Sequence, residues 1–205
     1  MSAGVTVTTP SATLSGNGRI QISEVMGNAE VANADALYNE NMDADNGLPA
    51  QVRAGIGWSR PGVGSAGLDV IHHFSGGFNW MEGIQDGEPV TIRQEREAVT
   101  DVQVGSEYIV RKRYPVRAGF FTSFSSAPDL DPEETSTPDQ VDLYGLTASV
   151  VVIGENVVLN LGLSYVFGDG DSFGTRFNDA GGLETRITET SDRSLYAFAS
   201  TAYRF

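Results

Sequence analysis

The chain has 205 residues, 40% of them hydrophobic, so it is long enough for one domain and too apolar for a disordered tail. Its formal net charge of −14 disfavours nucleic acid as a partner. With no cysteine it has no disulfide framework and no thiolate chemistry, and it contains no run of about 18 apolar residues that would make a transmembrane helix.

In chain order, Gly4 to Thr8 and Arg19 to Glu24 read as short strands, separated by Pro10 and the Ser15-Gly16-Asn17-Gly18 turn region. Residues 29–45 place Val31, Ala34, Leu37 and Tyr38 at helical spacing, which makes a short amphipathic loop helix one of two readings there. Exposed, such a helix would be a capture loop; more often the stripe packs on neighbouring loops.

From residue 50 the period is 2. Val52, Ala54, Ile56 and Trp58 share one face, and Arg53, Gly55 and Gly57 share the other. A short turn at 61–64 leads to Ala66, Leu68, Val70, His72 and Phe74, with Asp69 and His73 opposite. The pattern resumes at 100–110 with Val102, Val104, Tyr108 and Val110. It returns from the basic turn Arg111-Lys112-Arg113 through Tyr114, Val116, Ala118, Phe120, Thr122 and Phe124. Strands at 141–152 and 157–167 follow, the second with Leu159, Leu161, Leu163, Tyr165 and Phe167 on one face. The chain ends on R-S-L-Y-A-F-A-S-T-A-Y-R-F, another alternating strand, with Leu195, Ala197, Ala199, Thr201, Tyr203 and Phe205 on its apolar side.

The connections alternate in length. Short ones lie at 61–64, 111–113 and 153–156; long acidic ones lie at 24–48, 75–100, 125–140 and 168–192 and hold 22 of the 27 Asp and Glu residues. Tight turns at one end, long loops at the other and strands of about 10 residues are the pattern of outer-membrane barrels. A soluble up-and-down barrel would share the alternation, but it would turn the apolar face inward and show no such asymmetry of loops. The expectation is an all-β, antiparallel transmembrane β-barrel of outer-membrane type in a single domain spanning 1–205, with about 8–9 strands. Phe205 would be the signal read by the barrel-assembly machinery. An exported barrel needs a leader, and Met1 opens no basic and apolar run of that kind. The leader is therefore expected to have been removed or to lie outside this sequence.

Candidate sites follow from which face each residue takes. Arg53 with Asp69, and Glu107 with Arg117, flank short turns on the inner face, so two lumen ion pairs are expected. Structural charge compensation is the favoured role over binding of a ligand carboxylate. Ile71, Ile109, Phe121, Val158, Val166, Tyr196 and Phe198 also point inward and are candidates for a hydrophobic ligand path, or for plain lumen packing. His72 and His73 are the only histidines and are adjacent on one strand, so they point to opposite faces and cannot share a metal ion. No catalytic constellation, metal site or cofactor is expected.

The run Y-P-V-R-A-G-F at 114–120, the polar loop with Pro128 and T-P-D at 137–139, and the strands at 141–152 and 157–167 resemble a known family. So do the opening G-V-T-V-T-T-P-S, the L-P-A-Q-V-R-A-G-I-G-W run at 48–58 and the Y-R-F ending. Together they are similar to the long-chain fatty acid and aromatic hydrocarbon transporters of the bacterial outer membrane (FadL-type). The resemblance implies a fourteen-stranded barrel with an N-terminal plug, passing hydrophobic compounds inward and releasing them sideways through its wall. This chain matches only the C-terminal strands of that plan and has no counterpart of the plug. The expected function is therefore passive outer-membrane transport of hydrophobic small molecules by the C-terminal portion of a larger barrel, in contact with outer-membrane lipid. The competing expectation is a small structural or adhesive barrel that binds partners through its acidic loops. An outer-membrane esterase is the remote third.

Overall fold

Period-2 patterning is realised throughout as antiparallel sheet. The computed structural model describes residues 1–28, 31–85, 88–131, 137–177 and 182–203, with side chains described for these apart from 20–41, 85, 177 and 183. Twelve strands are present among them: β1 (Ser2–Thr8), β2 (Asn17–Asn28), β3 (Val31–Ala44), β4 (Gln51–Arg60), β5 (Gly64–His73), β6 (Gly76–Gln85), β7 (Glu88–Arg96), β8 (Val99–Val110), β9 (Tyr114–Ser123), β10 (Gln140–Ile153), β11 (Val157–Phe177) and β12 (Leu183–Tyr203).

Eight of them form one sheet in the order β1-β4-β5-β8-β9-β10-β11-β12, and β2-β3-β6-β7 form a second sheet of four. Every pairing in the larger sheet is antiparallel, so its edge strands β1 and β12 run in opposite directions. Among the described residues β1 and β12 are not hydrogen-bonded to each other, and the sheet is open at that seam.

The short turns set the register. The chain turns over Pro61 and Gly62, where Gly62 has φ of 74° and the Val63 amide donates to the Arg60 carbonyl at 3.0 Å. Proline followed by a positive-φ glycine is the residue pair a type II turn requires. From there β4 and β5 pair from Arg60↔Gly64 to Gln51↔His73 without a slip. A one-residue slip would put the whole apolar set on the wrong face.

Three expectations are corrected. Residues 31–44 are strand β3, paired with β2, so the amphipathic helix is absent there; residues 29 and 30 lie outside the described residues. The acidic segments at 24–48 and 75–100 are largely hairpins of the second sheet, β2–β3 and β6–β7, rather than loops. The segment at 168–192 extends β11 and β12 into strands of 21 residues each. Beyond the Phe167↔Arg193 pair this ribbon continues through Phe177↔Leu183, projecting about 30 Å farther at 3.3 Å per residue. Of the four, 125–140 is the one that stays irregular over its described part. The placement of Phe205 lies outside the described residues.

The larger sheet has almost no dry core. The buried apolar side chains among those described are Met42, Met81, Ala127 and Val151. Met42 and Met81 belong to the second sheet. By contrast Leu161 is 44% and Leu163 53% exposed. Ile56, Trp58, Val104, Val116, Leu146, Val150, Tyr165, Leu195 and Tyr203 are likewise exposed and occupy the same face. That is a contiguous apolar surface across eight strands, far beyond what a water-soluble monomer leaves uncovered.

Candidate functional site: a glycine-floored trough

On the opposite face, cross-strand pairing aligns small residues into a row. Ser2 pairs with Gly57, Gly57 with Gly67, Gly67 with Gly105, Gly105 with Gly119, Gly119 with Thr147 and Thr147 with Ser164. Four consecutive strands therefore contribute glycine at one height. A side chain at Gly105 would meet nothing within 4 Å, and one at Gly67 would touch only a carbonyl oxygen at 3.6 Å. The row leaves open space, and the sheet curls around it. A cavity of about 1020 Å³ is bordered by Ser2 on one edge strand, by Phe198 on the other, and by residues of β4, β5, β8, β9 and β10 between them.

Both expected ion pairs form, and Asp69, Glu107 and Arg117 border this trough while Arg53 lies beside it on the same face. Arg53 Nε lies 3.0 Å from Asp69 Oδ1, and Arg117 Nε lies 2.7 Å from Glu107 Oε2. The second pair is directly opposed across β8 and β9. The first is diagonal, because Arg53 faces Ile71 and Asp69 faces Gly55. Gly55 makes room for it: a Cβ there would collide with the Asp69 carboxylate. Both pairs reach solvent in the open sheet, with Glu107 the most covered of the four. They fix charge positions more than they add stability.

The apolar candidates divide. Phe121 and Phe198 line the cavity. Ile71, Ile109, Val158, Val166 and Tyr196 share their face of the sheet but do not border it. Phe121 is paired with Gly145 and Phe198 with Gly162. A Cβ added at either glycine would collide with the tip of the facing phenyl ring. Each ring therefore reaches over the facing glycine and fills the space a side chain there would take, an arrangement in which an aromatic side chain covers a strand glycine. Gly145→Ala and Gly162→Ala are expected to lift these rings off the floor at a cost of about 1–3 kcal/mol each. Equilibrium urea unfolding of the purified protein measures it; an unchanged midpoint would show that the rings do not depend on those glycines.

The end of the trough away from the short turns holds a feature that sequence reasoning missed. Asp101 Oδ1 accepts from Thr122 Oγ1 at 2.9 Å and from the Phe124 amide at 3.0 Å, while Thr122 Oγ1 accepts from the Val102 amide at 2.9 Å. His73 Nε2 stands 4.0 Å from Asp101 Oδ2. This knot ties the end of β9 to the start of β8 where the ladder of backbone bonds stops at Gln103↔Phe121. Asp101 sits on the inner parity of its strand and Thr122 on the outer parity of its own, and they meet because the ladder has ended before them. His72 takes the other face, 2.9 Å from Thr100 Oγ1 and edge-on to Phe74 at 4.8 Å. Among the described residues, no group of three or more His, Asp or Glu side chains is placed to hold a metal ion.

No protein-family model matches the chain, and no curated protein is significantly similar to it.

Proposed function

We propose that the eight-stranded sheet is the wall of an outer-membrane β-barrel, and that the trough on its inner face is a passive route for hydrophobic compounds such as long-chain fatty acids or aromatic hydrocarbons. The observation that carries this reading is the exposed apolar face spanning every strand of the sheet. Aromatic side chains bound it at both ends. Trp58, Tyr108, Tyr114 and Tyr203 lie toward the short turns. Phe124, Tyr144, Tyr165 and Phe167 lie toward the long connections and contact one another at ring-centroid distances of 5.4–5.8 Å. From Val157, opposite Tyr203, to Phe167 the strand covers about 33 Å. Tilted as barrel strands are, that corresponds to about 25 Å of membrane depth, the height of the apolar band in outer-membrane barrels.

A continuous apolar face in hydrocarbon needs every backbone group paired. β1 and β12 run antiparallel, and completion of the wall falls at their seam, by their own pairing or by the further strands of a larger barrel. The inner face suits greasy cargo because burial needs few polar anchors: it contributes about 25 cal/mol for each Å² removed from water. Phenyl rings and bare glycine backbone provide such a surface, and no nucleotide or metal enters the scheme.

A second reading rests on the hairpins of the smaller sheet and on the long β11–β12 ribbon, which project from the long-connection end and suit adhesion to a surface partner. One experiment separates the two. Cells carrying the gene are compared with cells lacking it for uptake of labelled oleate and labelled toluene, and then again after residues 172–188 are deleted. Transport predicts gene-dependent uptake that survives the deletion. Gene-dependent adhesion lost on deletion, without uptake in either strain, sinks transport in favour of the adhesive barrel.

A further inference from the structure

We propose that the short-turn end of the sheet carries a docking rim for anionic phospholipid headgroups, formed by Arg60, Arg111, Lys112 and Arg113. The inference rests on the membrane-spanning reading above and adds to it a lipid preference at one leaflet.

The first observation is charge. All four side chains lie at two neighbouring short turns, because β5 pairs with β8. Among the described residues none of them forms an ion pair, and the nearby carboxylate of Glu107 is already taken by Arg117. Of the 27 acidic residues, 22 gather in the four long segments at the opposite end. Glu155, in the turn at 153–156, is the carboxylate nearest this rim besides Glu107 among the described residues, and it forms no ion pair with any of the four cations. The second observation is strain. The Arg113 amide donates to the Val110 carbonyl at 3.1 Å, closing a turn over Arg111 and Lys112, whose φ angles are 49° and 58°. Positive φ at both central positions is the signature of a type I′ turn, which Asn-Gly fills without cost and which long side chains fill poorly. Two basic residues held in an unfavourable backbone region, where a better turn pair exists, point to a role for their side chains outside the turn.

The third observation is placement. The Ile109 amide donates to the Val63 carbonyl at 2.8 Å and Arg113 Nε donates to the Ile153 carbonyl at 3.1 Å, so the three turns are stitched into one rim. Tyr108, 62% exposed, lies on the apolar face at the level of Gly64 and Arg60. A cation beside an interfacial tyrosine sits where phosphate groups lie above the hydrocarbon. Phosphatidylglycerol meets that geometry with one net negative charge and a glycerol hydroxyl head; phosphatidylcholine, with its phosphate neutralised, does not.

The test uses the purified protein in non-ionic detergent micelles doped with either phosphatidylglycerol or phosphatidylcholine, with lipid retention read by native mass spectrometry. The wild type is expected to retain phosphatidylglycerol selectively, and salt at about 0.5 M is expected to weaken the selection by screening. The double variant Arg111→Asn/Lys112→Gly is expected to lose about fivefold in retention per cation removed, roughly 25-fold in all. Its urea unfolding midpoint is expected to rise, because the turn is relieved. The variant Arg111→Gln/Lys112→Gln, which removes charge and keeps the strain, is expected to lose the same retention without that rise. Equal retention of phosphatidylglycerol by the wild type and both variants overturns the proposal while leaving the membrane reading intact. A protein that stays dissolved and folded without detergent overturns both.

Discussion

Leu163→Arg is expected to prevent stable insertion of the sheet into a bilayer. Leu163 sits in the middle of the apolar band, paired with Ala148 on one side and Ala197 on the other. At the midplane of a membrane barrel an outward arginine costs about 2–4 kcal/mol. A small domain has only about 5–15 kcal/mol in all. In a water-soluble sheet the same change would fall within about 0.5 kcal/mol, because the side chain is already 53% exposed. Folding into short-chain phosphatidylcholine vesicles, followed by heat-dependent gel mobility and urea titration, reads the difference. Ser164→Arg is the control. It shifts the charge by one residue to the trough face, where Ser164 pairs with Thr147 and Tyr196, and insertion is expected to proceed. Equal tolerance of both substitutions would remove the membrane assignment and the transport function with it.

That one-residue contrast is also why much of the larger sheet was legible in the sequence. Its outward positions are apolar at nearly every second residue, and short turns pin the register, so residues equidistant from a turn meet. Glu107 and Arg117 are such a pair about the turn at 111–113, and Arg53 and Asp69 sit nearly symmetrically about the turn at 61–64. What the alternation does not encode is which inner residues border the cavity. That depends on how far the sheet curls, and the curl is set by glycines whose alignment appears only once all the registers are known.

The second sheet was hidden for a different reason. Ala32, Ala34 and Ala36 favour helix locally, and Val31, Leu37 and Tyr38 fall at spacings that mimic a helical stripe. Pairing with β2 from Asn28↔Val31 to Asn17↔Asp43 overrides that preference, as sheet context commonly does. Gly168 and Gly170 fall in the segment expected to be a long connection, yet they lie inside β11. A Cβ at either position would strike the carbonyl of Asp142 or Gln140 on β10. They mark a close approach of backbone to backbone rather than a chain reversal.

Gly105→Trp tests the trough itself. The space a Cβ would enter at Gly105 is empty out to 4 Å, and Gly105 stands at the middle of the glycine row. An indole placed there stands between Gly67 and Gly119, in the middle of the glycine row and beside the Glu107–Arg117 pair. The strand ladder is untouched, and a lumen-facing substitution of this kind carries little of the penalty that a lipid-facing charge does. The protein should therefore fold and insert as the wild type does. Gene-dependent uptake of labelled oleate or toluene is expected to fall at least about tenfold, since an aromatic side chain of this size buries on the order of 150–250 Å² of the surface the cargo would use. Gly105→Ala adds one methyl group to open space and should change uptake by less than about twofold. Adhesion by the projecting hairpins would be indifferent to either substitution. Wild-type uptake through a folded, inserted Gly105→Trp protein would mean that hydrophobic cargo does not pass over this floor.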